Sequence, residues 1–410
     1  MTGTGTGTGE ANASRSRLVL VTLLLASTLT IMSGATISPS LPGIQEQFSG
    51  TPNAELLTRL VLTMPALFIA ICAPLAGTLV DRLGRKPVLL VSVVLYGLAG
   101  GSGLVLGNLY TILVGRALLG IAVAGVMTSA TTLITDYYSG QERSRVLGIQ
   151  AAFMGLGGVA FLTFGGFLAG VDWRGPFAIY LIALLLAPLV ALRLVEPSRY
   201  ASEEGSKEGG DDHGGQEPTG TARLLAVIYT LAIVGMIVFY MVPTQLPFYF
   251  ENLLGIGATG SGLAIALLSL FQSFTSLSYG SLRARLGYRT VAIITFALIG
   301  VGYALIGLAG SLPLALLGLV VGGSGVGLLL PNLNNWVSSG TPVAVRGRAL
   351  GGLTSTIFLG QFLSPLLSQP VGGAYGFGTA FLVAAFISVA LMVFVAVTGR
   401  QKSSKPATET

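Results

Sequence analysis

Long apolar runs separated by short polar gaps dominate the sequence between residues 18 and 398. Each run holds about twenty residues, and about twenty helical residues cross the bilayer hydrocarbon core, which is about 30 Å thick. The pattern therefore predicts an all-α membrane protein with twelve transmembrane helices. The runs cover residues 18–38, 57–80, 88–107, 109–134, 147–169, 176–195, 223–249, 260–282, 289–309, 312–336, 349–370 and 376–398.

Two parts of the sequence repeat each other at a constant offset. The stretch GTLVDRLGRK at residues 77–86 corresponds to GSLRARLGYR at residues 280–289, and RSRVLG at 143–148 corresponds to RGRALG at 346–351. A constant offset indicates duplication, so we expect two pseudo-symmetric six-helix bundles with a passage between them. The predicted parts are a disordered cytoplasmic tail at 1–14, bundles at 15–195 and 223–399, a polar cytoplasmic linker at 196–222 and a cytoplasmic tail at 400–410.

The charged residues fix the expected orientation. Only 9% of residues are charged, against about 25% in soluble domains. If the N-terminus is cytoplasmic and the runs alternate in direction, 19 of the 22 Lys and Arg residues fall on the cytoplasmic side. This positive-inside bias predicts a multi-pass protein of the cell's inner (plasma) membrane with both termini in the cytoplasm. It also explains the net charge of +6 without a nucleic-acid partner.

The chain carries few groups for catalysis or metal binding. It has one cysteine, Cys72, and one histidine, His213, which lies in the polar linker. An enzyme, a metal site and an intramolecular disulfide are therefore not expected. No nucleotide-binding loop is present, so we expect no cofactor and a proton gradient as the energy source. We expect a monomer in the lipid bilayer, with a small-molecule substrate as its partner.

The first basic loop resembles the hallmark loop of the major facilitator superfamily. The resemblance extends over about residues 15–400 and implies two bundles that rock about a central site. In that family the loop aspartate docks on the start of the eleventh helix, so Asp81 would latch the outward-open state near residues 346–351. The second copy has Ala284 in place of the aspartate, and the alternative is a basic loop that only sets topology. The predicted gating-loop residues are Gly77, Asp81, Arg82, Gly84, Arg85 and Lys86.

Arg116 is the only charge deep inside an apolar run. A cation there is costly, so it is expected to face a cavity or a partner. The segment Gly115–Gly120 resembles a fourth-helix pattern of the family in which the arginine is linked to proton movement. The resemblance implies a role in coupling or substrate contact. The alternative is an arginine that bonds carbonyl groups of neighbouring helices.

The fifth run carries a glycine face that resembles the signature of drug/proton antiporters. Phe161 and Leu162 stand where that signature has Gly-Pro, while Ser364-Pro365 occupies the matching place in the second half. The alternative role for these glycines is close packing against a neighbouring helix. The residues are Gly155, Gly157, Gly158, Gly165 and Gly166.

No carboxylate lies at mid-membrane, where many cation exporters have one. Glu55 and Arg59 are spaced i,i+4 at the start of the second helix and could pair. Together with Glu251 they are candidates for proton coupling, and the alternative is that all three are outer-surface charges.

The remaining pathway is expected to be apolar, aromatic and neutral-polar. In the family, helices one, four, seven and ten line the pathway. The side chains expected to line this pathway suggest an amphiphilic, neutral or anionic organic substrate. We therefore predict proton-coupled efflux of a small organic or drug-like compound, with a facilitator or importer of a sugar or other metabolite as the alternative. The cavity candidates are Ser33, Ile37, Met236, Tyr240, Gln245, Phe271, Gln272, Asn332, Asn335, Phe358 and Gln361.

Overall fold

The computed structural model describes residues 17–196 and 218–398. Within these ranges the regular structure is helical, and twelve helical spans are long and apolar enough to cross a membrane. The predicted terminal tails and residues 197–217 of the predicted linker lie outside the described residues. Spans 1 to 12 are Arg17–Gln47, Ala54–Leu83, Arg85–Leu104, Leu109–Tyr137, Gly140–Val171, Gly175–Arg193, Thr221–Leu254, Ala258–Arg283, Tyr288–Gly307, Leu312–Gly340, Val343–Tyr375 and Phe377–Val397.

Several helices extend beyond the apolar runs that predicted them. The helix of span 5 begins at Gly140 rather than 147, and the helix of span 7 covers Pro218–Leu254 rather than 223–249. Hydropathy reports the part of a helix that lies in lipid. The helical hydrogen-bond pattern continues into the polar interface, where flanking residues such as Glu142 are compatible with a first turn.

Span 1 is not one continuous helix. An α-helix covers Arg17–Ala35, a 3-10 turn covers Ser38–Ser40 and a short α-helix covers Leu41–Gln47. Prolines occupy early positions of the last two elements, where a missing N–H is tolerated. The break leaves carbonyls in the last turn before Ala35 without helical donors, and these become available to side chains from other spans.

The spans form two bundles with separate cores. Spans 1 to 6 bury a cluster that includes Leu23, Val61 and Tyr180, and spans 7 to 12 bury a second cluster that includes Leu246 and Phe381. The main contacts between bundles run along two seams, where span 2 packs against span 11 and span 5 against span 8. The two predicted six-helix bundles are thus confirmed as the architecture.

The two ends of the molecule differ in charge. We call basic end the end that carries the turns at residues 84, 138–139, 284–287 and 341–342. The opposite end carries the turns at residues 48–53, 105–108, 172–174, 255–257, 308–311 and 376. The described portions of both chain termini, and the start and end of the gap at 197–217, lie at the basic end.

Candidate functional site

Arg116 lies inside the first bundle with 1% of its side chain exposed. Its Nε donates to the Val61 carbonyl at 2.8 Å, and Nη2 donates to the Ser33 carbonyl at 2.5 Å. The Tyr180 hydroxyl donates to the same Ser33 oxygen at 3.0 Å, and the Tyr180 ring lies 5.0 Å from the guanidinium carbon. Nη1 is buried without a hydrogen-bond partner, and no described carboxylate pairs with the charge.

The two carbonyls that bind Arg116 are available for identifiable reasons. Ser33 lies in the last turn of the first helix of span 1, where the C-terminal end of the helix dipole favours a cation. Val61 lies four residues before Pro65, which has no N–H to return to it. The sequence thus prepares two acceptors for one buried cation, but it leaves one nitrogen unsatisfied.

The same proline effect recurs at other helix contacts. A proline inside a helix frees the carbonyl four residues earlier, and in four cases a side chain from another span donates to it. Two of these bonds join the bundles, at 3.2 Å from Ser355 to Ala70 and at 2.6 Å from Ser38 to Pro243. The freed carbonyls and their donors are Val61 with Arg116, Ala70 with Ser355, Phe239 with Tyr303 and Pro243 with Ser38.

The predicted gating loop is a one-residue turn between spans 2 and 3. Gly84 has φ of 102°, which favours glycine, and a side chain there would lie 2.8 Å from a Glu196 oxygen. The Glu196 carboxylate accepts the backbone N–H groups of Arg85 and Lys86, each at 2.7 Å, and so caps the start of span 3. Sequence reasoning missed Glu196 because it was assigned to the linker.

The charged side chains of this loop have different environments. Arg85 is buried and forms an ion pair with Asp136 of span 4, with Nε 3.0 Å from Oδ2. Asp81 is exposed, and the structure gives no hydrogen bond or ion pair between it and residues 346–351. The latch implied by family resemblance is therefore not made in this arrangement, and its existence in another state stays a prediction. Arg82 and Lys86 are also on the surface at this turn, exposed and partly exposed respectively.

The second copy of the loop uses different chemistry. The Arg283 guanidinium carbon lies 3.8 Å above the Tyr288 ring, and Tyr288 stacks on Trp336 at 6.0 Å between centroids. Ala284 offers no carboxylate, and the Gly287 cap of span 9 has no side-chain hydrogen bond. An acid cap thus closes the loop of the first bundle, whereas stacked rings and a cation close the second.

At the opposite end, a polar network joins the bundles. Arg59 is only 2% exposed, and its Nε donates to the Gln245 side-chain oxygen at 2.9 Å. Gln245 Nε2 donates to Ser368 at 2.9 Å, and Gln369 Nε2 donates to the Glu55 carboxylate at 2.7 Å. Arg59 binds the Glu55 backbone carbonyl at 2.6 Å instead of its carboxylate. The i,i+4 ion pair that the sequence suggested is therefore not formed here, because amides of the second bundle occupy both groups.

Beside this network lies a cleft of about 430 Å³ at the junction of spans 1, 2 and 7. Glu251, the third coupling candidate, lines the cleft together with Glu46 and Glu55, and Glu251 is itself exposed. The Phe248 ring forms part of the wall and lies 4.1 Å from the guanidinium carbon of Arg59. Two of the three predicted coupling candidates of the opposite end, Glu55 and Glu251, thus line one cleft, and Arg59 is buried beside the Phe248 ring of its wall.

The predicted glycines of span 5 lie on close contacts. A Cβ on Gly166 would lie 2.9 Å from Gly262 Cα of span 8, and one on Gly155 would lie 2.6 Å from Ser273 Oγ. A Cβ on Gly165 would overlap the Thr36 carbonyl oxygen of span 1. Gly157 and Gly158 face Thr28 and Ile31 of span 1 at 3.3 and 3.1 Å. Close packing is therefore one role of this face.

Towards the basic end, the same seams are open. A Cβ on Gly77, Gly148, Gly280 or Gly351, on spans 2, 5, 8 and 11, would meet no atom within 4 Å. Gly148 lies seven residues from Gly155 and Gly280 seven from Ser273, so both share the helix face that contacts the other bundle deeper in the seam. Gly77 lies seven residues from Ala70 and Gly351 lies four from Ser355, and both spacings place the glycine on the helix face of the residue that contacts the other bundle. At these four positions the seams thus leave open space towards the basic end, whereas close contacts and hydrogen bonds fill them towards the opposite end.

The predicted cavity residues fall into three environments. Tyr240, Phe271, Gln272 and Phe358 are partly exposed and Asn335 is exposed. Asn332 bonds the Tyr288 carbonyl at 3.0 Å. Contact between these residues and a substrate stays a prediction. The buried members are Ser33, Ile37, Met236, Gln245, Asn332 and Gln361.

This architecture, with two bundles of membrane-spanning helices that meet along paired seams, is that of a membrane transporter. The chain matches the Major Facilitator Superfamily over residues 23–271 and 228–410. It therefore belongs to that superfamily, whose members are transporters and not enzymes. This confirms the resemblance noted in the sequence.

Individual relatives agree with the assignment. The chain is 28% identical over 358 residues to the tetracycline resistance protein, class D, of Salmonella ordonez, covering 84% of this chain and 87% of that protein. It is 26% identical over 353 residues to the class B protein of Escherichia coli, covering 84% and 86%. The crystal structure of a D-xylose-proton symporter has a TM-score of 0.78, covers 92% of this chain and 96% of its own, and at 17% identity shows the fold alone.

Proposed function

We propose that the protein is a proton-coupled exporter of small organic compounds that works by alternating access. It would act as a monomer in the inner (plasma) membrane, with both termini and the basic end in the cytoplasm. The described arrangement would then expose the pathway to the cytoplasm, ready to receive a compound for export. A transporter that confers resistance does so by removing the compound from the cell, and the names of the tetracycline resistance relatives support export.

The proposal for the site rests on the burial of Arg116 without a counter-charge among the described residues. Arg116 is a fully buried guanidinium with two carbonyl acceptors, one nitrogen without a partner and no described counter-charge. A buried cation without an anion is costly. An anionic substrate group, or a partner that becomes anionic when it releases a proton, would therefore be stabilised near Arg116. We assign Arg116 to coupling or substrate contact on this ground.

Reconstituted vesicles test the coupling. With tetracycline as the first probe, an acidic lumen should drive the probe into the vesicles, because protons leaving the lumen exchange for it. Import by symport, the alternative that sugar–proton transporters of this fold represent, would instead require acid outside. Movement that ignores the pH gradient would contradict both and indicate a facilitator.

The Arg116→Gln variant tests the site. We expect it to remain folded, to lose gradient-driven transport and to lose the stabilisation that a bound probe gives the purified wild-type protein. A variant that keeps both the stabilisation and the transport would remove Arg116 from the site.

A further inference from the structure

Arg59 and Glu55 have the sequence spacing of a helical ion pair, but in the structure their side chains bond residues of the second bundle and not each other. They lie four residues apart on span 2, with the acid towards the N-terminus, which is the favourable order for a helical pair. Yet Arg59 bonds the Gln245 oxygen at 2.9 Å, and the Glu55 carboxylate accepts from Gln369 at 2.7 Å. Arg59 also donates through Nη1 to the Gln45 side-chain oxygen at 3.2 Å and to the Glu55 backbone carbonyl at 2.6 Å, both within the first bundle. Each of the two side chains thus has one bond to a neutral amide of the second bundle.

The amide that faces Arg59 is held in one orientation. Gln245 donates through Nε2 to Ser368 at 2.9 Å, so its oxygen is left to face the guanidinium. Phe248 of the same span adds a ring face 4.1 Å from the guanidinium carbon. A neutral amide binds a charged group less strongly than an opposite charge does, so this closure is specific but reversible.

Separation of the bundles at this end would remove both amides in one movement. Arg59 and Glu55 would stay together on span 2, next to a cleft of about 430 Å³ that admits water. Arg59 would keep the two Nη1 bonds within its own bundle, but Nε would lose its acceptor and would need a new partner. The Glu55 carboxylate, one helical turn away, is freed by the same movement.

We propose that Arg59 and Glu55 form an exchange pair that sets the balance between the two states of the opposite end. When that end is closed, they bind Gln245 and Gln369 across the interface. When it opens, they bind each other. The inference rests on the alternating access of the proposed function, but not on its substrate, direction or coupling ion.

If the pair exchanges partners in this way, variants of Glu55 and variants of the two glutamines should shift the balance between the closed and open states in opposite directions. Gln245→Ala and Gln369→Ala each remove a bond of the closed state and should favour the open state. Glu55→Gln should favour the closed state, because the new amide oxygen still accepts from Gln369 while the ion pair of the open state is lost. A merely structural role for Glu55 would move its variant in the same direction as the others.

Pulsed electron–electron double resonance on the whole chain in lipid nanodiscs tests whether these variants shift the two states in opposite directions. Spin labels at Gly107→Cys and Ser311→Cys, both exposed in turns at the opposite end, report the separation of the bundles in a Cys72→Ser background. The two Ala variants should each raise the ratio of long to short distances by about threefold or more, and Glu55→Gln should lower it by a similar factor. Gln47→Ala, an exposed glutamine at the same end, is the matched control and should leave the ratio unchanged.

The direction of each distance shift decides whether the exchange pair exists. A Glu55→Gln shift towards long distances, or Ala variants that leave the ratio at the wild-type value, would overturn the exchange pair. Two independent Ala variants are used so that failure of one to fold leaves the other decisive. Because the readout needs no substrate, opposite shifts would support the exchange pair even if the vesicles moved tetracycline without regard to the pH gradient, the result that contradicts proton-coupled export.

Discussion

The opposite and basic ends of the two seams are built from the same four spans, yet they differ in how their glycines are used. Near the opposite end, Gly166 and Gly262 bring spans 5 and 8 into backbone contact, and side chains bond across the interface. Near the basic end, Gly148 and Gly280 occupy the corresponding face but meet no atom within 4 Å. Small residues allow helices to approach closely, so the glycines near the basic end would allow a second contact that this arrangement does not make.

The largest expected effect comes from filling the closed contact. In Gly262→Val, the first side-chain carbon alone would lie 2.7 Å from Gly166 Cα and 2.8 Å from the Leu162 carbonyl, so the seam must widen. Overpacking of about 1–3 kcal/mol would shift the ratio of open to closed states at the opposite end about tenfold. Distance measurements between labels at Gly107 and Ser311 check this. Gly280→Val on the same span is the control, and an equal widening there would contradict the comparison.

Filling the open contact should have a different result. In Gly280→Leu and Gly351→Leu the new side chains enter empty space, so we expect the free energy of unfolding to change little. The basic end would then be unable to close, and gradient-driven transport should fall about tenfold. Unfolding in detergent and vesicle transport measure the two quantities. Normal transport by both variants would mean that these glycines never form a contact.

The acid cap of the first loop should contribute to stability alone. Glu196→Ala removes acceptors from the Arg85 and Lys86 N–H groups and should lower the free energy of unfolding by about 1 kcal/mol. Glu196→Gln should retain part of this stabilisation, because the amide oxygen of glutamine is an uncharged acceptor. Denaturant unfolding of the purified variants measures it. An Ala variant as stable as wild type would show that water replaces the cap without loss.

The smallest effect is expected at Asp81. Because its carboxylate is exposed here and does not contact residues 346–351, Asp81→Asn should leave the stability of this arrangement unchanged. If the carboxylate docks on the start of span 11 in the other state, the variant should lower that population about two- to fivefold, as about 0.3–1 kcal/mol at a helix N-terminus implies. The same distance measurement detects this. A wild-type ratio in the variant would leave the loop with no latch.

The fold could be predicted from the sequence because length and hydropathy encode membrane spans directly, and the offset between Gly77 and Gly280 reveals the duplication. Arg116 could also be selected, since a charge inside an apolar run stands out. Its partners could not, because both acceptors are backbone carbonyls that carry no residue signature. Pro65, four residues after Val61, was the available signal for one of them.

The contacts between bundles were harder to predict. The spacing of Glu55 and Arg59 correctly marked them as neighbours, but their partners lie 314 and 186 residues away along the chain. One sequence offers no evidence for pairs at that separation. The spacing of Glu55 and Arg59 indicates a local ion pair, and nothing in one sequence indicates that bonds across the interface replace it.

The helix prolines have a consequence for how the bundles can move. The Ala70 and Pro243 carbonyls, which receive Ser355 and Ser38 from the other bundle, have no helical donor to lose. When such a bond breaks, a water molecule can replace the hydroxyl while every amide of the spans keeps its partner. Separation of the bundles at these two bonds would therefore leave the secondary structure untouched, and the bundles would part as rigid bodies without any unwinding.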